Sequence, residues 1–339
     1  MLFFDAEATR AALPFEQLIP ALRALFASGC EVPSRHVHQL HPADAGHASG
    51  DTAPDTPSDP PPVAPGAAGL TSLIMPAWLP GRFYGIKTVN IAPGNAALGL
   101  PGLHSSYLLF DASTGAPLAW MDGDPITARR TAATSALAAS WLALPDASHL
   151  LLVGAGQVAR LLPEAMRVVR PICRVTVWAR SAPQAAALAR SLGEQGFEAS
   201  ATADLPAAAA AADIVSCATL ANTPLLHGGW LRAGSHLDLI GSFTPAMREA
   251  DDDCFAGASL YLDTEEALTK SGDLIGPLAR GVISAGDVRG SLASLARGQS
   301  TGRRDGTERT VFKSVGSALA DLAAAMLVYQ VSAGAAVGR

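Results

Sequence analysis

The residues of this chain whose spacing most plainly suits chemistry form a bend, Val153-Gly154-Ala155-Gly156-Gln157-Val158-Ala159, entered through the apolar run Leu150-Leu151-Leu152. A buried parallel strand reads as continuous apolar sequence. A Gly-x-Gly-x-x-Ala turn after it lets backbone N–H groups touch a pyrophosphate that side chains at Gly154 and Gly156 would obstruct. Ala159 is small enough for the next helix to lie close to the strand. The start of that helix, at Gln157 and Val158, offers unpaired donors and a positive dipole end to phosphate. A second strand, Val175-Thr176-Val177-Trp178, follows at about the 20–25-residue distance where a dinucleotide-binding unit places its ribose-reading residue. It ends Ala179-Arg180-Ser181. An acidic residue there would accept from a ribose 2′-hydroxyl and repel a 2′-phosphate. A guanidinium beside a hydroxyl instead favours NADP(H), with NAD(H) left open.

Elements on both sides must hold this bend. Residues 5 to 28 carry a helical period in Leu13, Leu18, Leu22 and Leu25, and Arg35 to Leu40 reads as a strand. From 41 to 69 the chain is rich in Pro, Asp, Ala and Gly without periodicity, which reads as a flexible surface insertion between two strands. Alternating segments at Thr71–Met75, Phe83–Val89 and Ser105–Phe110, separated by turn formers, predict a mixed, mostly antiparallel sheet. A long helix is expected from about 125 to 144. Strands at 150–153, 175–178, 213–217, 235–240 and 259–262 then alternate with helices, the pattern of a doubly wound parallel α/β sheet. A last helix is expected over about 311 to 330, crossing back to the first domain. The division is therefore 1–125 plus 307–339 as an α+β domain, with 126–306 as a Rossmann-type domain.

Composition narrows the function class. The 339 residues are 49% hydrophobic and 16% charged, enough for a substantial core and two domains. A formal net charge of −6 argues against a nucleic-acid or anionic-membrane surface and for small-molecule partners. The four cysteines are scattered without Cys-x-x-Cys, so they read as reduced and mostly buried thiols rather than disulfides or a zinc site. No membrane-length apolar run and no secretory pattern is visible, and a cytoplasmic location is the expectation. His36 and His38 share one strand face without a third ligand at sensible spacing, so no metal site is expected. Asp251-Asp252-Asp253 reads as a solvated helix start.

Several further segments carry a resemblance. Met75-Pro76-Ala77, Gly85-Ile86-Lys87, Pro93-Gly94-Asn95, Thr127-Ala128-Arg129-Arg130-Thr131-Ala132-Ala133 and Val311-Phe312-Lys313-Ser314-Val315-Gly316 occur in the order found in the ornithine cyclodeaminase/μ-crystallin family. The sequence resembles that family over nearly its whole length, 41 to 69 excepted. The resemblance implies a homodimer with an N-terminal substrate and dimerisation domain completed by the C-terminal helix. It also implies one of several activities: ornithine cyclodeamination, alanine-type dehydrogenation, reduction of cyclic ketimines such as Δ1-pyrroline-2-carboxylate and Δ1-piperideine-2-carboxylate, or non-catalytic binding of the μ-crystallin kind. One departure separates them. Cyclodeaminases of the family carry an acid in a Gly-Gly-Asp-Cys-Pro type loop, where this chain reads Gly241-Ser242-Phe243-Thr244-Pro245. Phenyl cannot exchange a proton. Reduction of a preformed cyclic imine needs no residue to expel ammonia and is the expected activity.

Within that reading, matched positions receive roles. Arg130 is expected to clamp the substrate carboxylate and to touch the cofactor, since a guanidinium fork matches a carboxylate bidentately. Lys87, set among apolar neighbours where an inward amine is costly without a task, is expected to bind the carboxylate or supply a proton to the imine. Arg35 is a further substrate contact. Thr131 is expected at a cofactor phosphate, and Ala218, Thr219, Leu220 and Ser314 along the nicotinamide ribose.

Overall fold

The computed structural model describes residues 1–40 and 69–337. The expected insertion, Gly69 excepted, lies outside the described residues. Strands β1 (Leu2–Phe4), β2 (His36–Leu40), β3 (Leu70–Leu79), β4 (Phe83–Ile91), β5 (Leu103–Asp111) and β6 (Pro117–Asp122) form one sheet in the order β1-β6-β5-β4-β3-β2. All its pairings are antiparallel except β1 with β6. Period-two burial along β4 puts Gly85, Lys87 and Val89 on the inner face. Gly85 is required there, because the Tyr107 hydroxyl of β5 fills the space where a Cβ would stand.

The single helix expected over 5 to 28 is two, α1 (Ala6–Ala11) and α2 (Phe15–Ser28). Pro14 separates them: it has no N–H to donate and sits in extended backbone as the residue before α2. The expected apolar stripe survives the break, with Leu18, Leu22 and Leu25 buried alongside Phe15, Ile19 and Phe26. Helix α3 (Gly123–Leu142) follows β6, begun by Asp122, whose carboxylate accepts from the Asp124 N–H at 2.9 Å. It is buried along most of its length because it packs on helices from both halves of the molecule.

The second sheet contains β7 (His149–Val153), β8 (Arg174–Trp178), β9 (Glu198–Ala201), β10 (Ile214–Cys217), β11 (His236–Leu239), β12 (Ser259–Leu262), β13 (Val288–Ser291) and β14 (Thr310–Lys313). Its order is β13-β12-β14-β11-β10-β7-β8-β9 and all pairings are parallel. Helices α4 (Gln157–Val169), α5 (Ala182–Glu194), α6 (Leu205–Ala211), α7 (Ala267–Lys270), α8 (Gly272–Ala279) and α9 (Leu292–Ala296) connect these strands. The chain leaves β7 toward β8 and β9, then returns to β10 on the other side. That reversal opens a crevice at the carboxyl ends of β7 and β10, where such sheets bind ligands.

The final expected helix needs correction. Residues 310–313 are strand β14, inserted between β11 and β12, and the helix α10 (Ala318–Val337) starts only after a turn at Gly316, φ +83°. The apolar Val311-Phe312 pair serves equally well as a fully buried strand, which local sequence does not distinguish from a helix. The segment counted from 307 with the first domain thus gives a strand to the second sheet. Ser314 lies in the loop before α10 rather than on it. Helix α10 then packs on α2, α3, β3 and β4 of the first half.

Candidate active site

Three distant elements meet at one carboxylate. Lys87 of β4 and Arg130 of α3 both reach Asp321, in the first turn of α10: Lys87 Nζ lies 2.7 Å from Oδ2, and Arg130 Nε donates to Oδ1 at 2.8 Å. All three are buried. Thr127, one turn before Arg130 on α3, has its hydroxyl 3.5 Å from Lys87 Nζ. Burial pulls the Asp321 carboxyl upward, but Arg130 and then Lys87 outweigh it and hold the group below its ordinary value. For Lys87 burial dominates and lowers the amine to about 8; Asp321 works against this, while Arg130 and Arg35 reinforce it. Two cations therefore share one anion in a place poor in water, and the cluster keeps an excess positive charge.

Arg35 joins them from the first domain. It precedes β2, donates from Nη2 to the Gly316 carbonyl at 3.2 Å, and pairs with Glu266 at 3.1 Å. A Cβ at Gly316 would meet the Arg130 guanidinium at 3.0 Å, so this turn touches two of the cations and its positive φ favours glycine. The turn forms part of a cleft of about 260 Å³ between the two halves. Phe26, Val32, Arg35 and Met75 line it from one side, Asp263, Glu265, Glu266 and Ser291 from the other. Met75 is the register partner of Lys87, which places the buried cluster behind the cleft wall. Asp263 braces the turn by accepting from the N–H groups of Val315 (3.0 Å) and Gly316 (2.8 Å). Burial raises its carboxyl to about 6 against those donors.

The glycine bend sits in the crevice of the second sheet. Gly154 has φ +119°, and a Cβ on it would stand 2.6 Å from the Ala218 carbonyl at the end of β10, so the two strand ends close on one another only with glycine. Gly156 precedes α4 with no side-chain cap and open space around it, leaving the helix N-terminus free to receive phosphate. Gln157 is exposed, Val158 half-buried and Ala159 buried under the helix, as close packing requires. These residues suit a dinucleotide. At the end of β8, Ala179 is half-buried and Arg180 exposed, while Ser181 caps α5 by accepting from the Gln184 N–H at 3.4 Å. Thr131 faces its own helix, its hydroxyl donating to the Thr127 carbonyl at 2.6 Å.

Behind Ala218 and Thr219 lies a buried polar brace. The Glu249 carboxylate accepts from the Thr219 N–H (2.7 Å), the Thr219 hydroxyl (2.8 Å) and the Gly241 N–H (2.6 Å), tying the loop after β10 to the loop after β11. Burial raises Glu249 to about 7 despite these donors and Lys313. Lys313 of β14 lies 3.4 Å from Asp273, which accepts from the Glu249 N–H at 2.8 Å. Leu220 is 71% exposed beside this loop, and Ser314 is buried with its N–H on the Leu239 carbonyl. Phe243 is 42% exposed in the loop after β11.

The structure thus brings Lys87, Arg130 and Arg35 together, and separately gathers Gly154, Gly156, Ala218 and Thr219. Sequence reasoning does not find Asp321, Glu266, Asp263 or the Glu249 brace. Asp321 carries a signal: it is a lone charge in Ala318-Leu319-Ala320-Asp321-Leu322-Ala323, costly on an apolar helix unless paired. Arg129 is structural, stacked 4.0 Å over Phe15 and donating to the Leu13 carbonyl at 2.6 Å. His36 and His38 are exposed, and among the described residues no group of three His, Cys, Asp or Glu could hold a metal ion. The cysteines are free, but only Cys217 and Cys254 are buried, fewer than expected; Cys173 is exposed and Cys30 half-buried. No described helix is long and apolar enough to cross a membrane.

The sequence profile of the ornithine cyclodeaminase/mu-crystallin family matches residues 67–335. The chain belongs to this family. A Δ1-pyrroline-2-carboxylate reductase of Paracoccus denitrificans is 45% identical to it over 266 residues, 78% of this chain and 84% of that protein. The solved Δ1-pyrroline-2-carboxylate reductase of Thermococcus litoralis, in complex with NADH and L-proline, superposes with a TM-score of 0.85 at 30% identity, covering 97% of each chain. An archaeal alanine dehydrogenase dimer with bound NAD superposes with a TM-score of 0.83 at 25% identity, covering 97% of this chain and 95% of that one.

Proposed function

We propose that this family member is a NAD(P)H-dependent reductase of cyclic ketimine carboxylates, making L-proline from Δ1-pyrroline-2-carboxylate and L-pipecolate from Δ1-piperideine-2-carboxylate. The observation that carries this reading is the pair of buried cations, Lys87 and Arg130, sharing the single carboxylate of Asp321 beside the cleft. Such a cluster is short of one negative charge, and a substrate carboxylate supplies it. The likeness to reductases of this substrate supports the same reading.

The glycine bend, Thr131, Ala179, Arg180, Ser181, Ala218, Thr219, Leu220 and Ser314 would hold the dinucleotide, which when bound supplies hydride to the C=N carbon. Arg130 and Lys87 grip the carboxylate, and Arg35 steadies the ring from the first domain. Lys87, lowered to about 8, is the ionisable group of the cluster best placed to hand a proton toward the imine nitrogen near neutral pH. Phe243 stands at the position where the cyclodeaminase-type loop carries its acid, which disfavours ornithine cyclodeamination. Arg180, exposed where an acid would read a 2′-hydroxyl, supports NADP(H) as the preferred carrier, NAD(H) being the alternative. We also assign the chain to a homodimer working in the cytoplasm, with 1–125 and the C-terminal helix as its substrate and dimerisation domain.

The test is direct. Purified protein is given NADPH or NADH with five- and six-membered ketimine carboxylates, and cofactor absorbance is followed. Oxidation with the imines, faster with NADPH, and no ammonia release from ornithine are expected. Silence with both imines would refute the reading.

A further inference from the structure

We propose that Glu266 is a specificity-determining residue that restricts the cleft to substrates with a single carboxylate. The proposal rests on the reductase reading above and adds to it the charge pattern of the wall opposite the cations.

The cleft is polarised. Behind the wall that carries Met75 lies the cluster of Lys87, Arg130 and Asp321, with two cations to one anion. Across from it, the segment after β12 contributes Asp263, Glu265 and Glu266 to the lining. Asp263 is occupied with backbone donors of the turn, and Glu265 is exposed. Glu266 is the one of the three that reaches across to the first domain, its Oε2 pairing with Arg35 at 3.1 Å and with Lys270, one turn on, at 2.5 Å. Burial raises its carboxyl, but Lys270 and Arg35 prevail and keep it ionised, below its ordinary value.

Glu266 therefore engages Arg35, the one cation among the described residues lining the cleft, which could otherwise have met a second substrate carboxylate. An imine zwitterion, with its carboxylate at the cluster and its iminium toward the acidic wall, matches both poles. A second carboxylate would face Glu266 and find Arg35 already engaged. A contact between unit charges near a protein surface is strong enough for this to separate substrates by roughly tenfold or more.

The experiment compares kcat/KM for Δ1-pyrroline-2-carboxylate with that for iminosuccinate, an acyclic imine dicarboxylate formed in the assay from oxaloacetate and ammonium. Wild type, Glu266→Gln and Glu266→Lys are measured with the same cofactor. The wild type is expected to favour the monocarboxylate by at least about tenfold, and the preference is expected to shrink by about tenfold in Glu266→Gln and further in Glu266→Lys. A preference that stays within about twofold across the three proteins overturns the assignment to Glu266 and leaves the reductase reading intact. Cofactor oxidation by neither imine overturns the reductase reading, and this proposal with it.

Discussion

Two ion-paired regions flank the cleft and behave oppositely. The Lys87–Asp321–Arg130 cluster is almost dry, its side chains 2%, 0% and 9% exposed, and carries two cations for one anion. The Arg35–Glu266–Lys270 group also sets two cations on one carboxylate, but its side chains are 19%, 35% and 32% exposed. Water screens the second and leaves the first uncompensated. Burial therefore decides which region depends on an arriving carboxylate and which only shapes access to it.

Asp321→Asn should break the dry cluster most severely. Two buried cations would lose their anion, at a cost of about 3–5 kcal/mol of stability, read from urea unfolding. Lys87→Ala should leave Arg130 and Asp321 paired one to one, so the fold holds while turnover drops by about 100-fold or more and cofactor binding persists. The pH profile sharpens the contrast. Lys87, lowered from 10.5 to about 8, is charged below that value and neutral above it, so kcat/KM should fall as pH rises through about 8. Between the two values the unfolded chain binds more protons at this lysine than the folded one, so its contribution to stability rises with pH across that window. The smallest effect belongs to the screened pair: Glu266→Gln should change unfolding free energy by no more than about 1 kcal/mol. A loss as large as that of Asp321→Asn would erase the distinction between the regions.

How much of the molecule is legible in its sequence follows from where each feature's information lies. The glycine bend is local: an apolar strand, a turn and a helix start are consecutive residues whose chemistry is mostly backbone, so the amino-acid order alone places Gly154, Gly156 and Ala159. The parallel α/β alternation is legible for the same reason. Residue type and family pattern single out Lys87, Arg130 and Arg35, but not their partners. Asp321 is 191 residues from Arg130 and 234 from Lys87 along the chain, and nothing local says that α10 returns to β4. Glu266 and Glu249 are hidden likewise, the first in a short acidic run, the second in a loop. The segment at 311–313, expected as the start of a helix and found in β14, shows the limit from the other side. A short stretch around Val311-Phe312 can be either, and the tertiary slot between β11 and β12 decides it.

The uncompensated cluster is built to receive a carboxylate. This is tested most directly by comparing kcat/KM for Δ1-pyrroline-2-carboxylate and for unsubstituted Δ1-pyrroline with the same cofactor. The ring lacking the carboxylate should be worse by about 100-fold or more, since the buried cations would be left unpaired. Equal rates with the two rings would contradict the account.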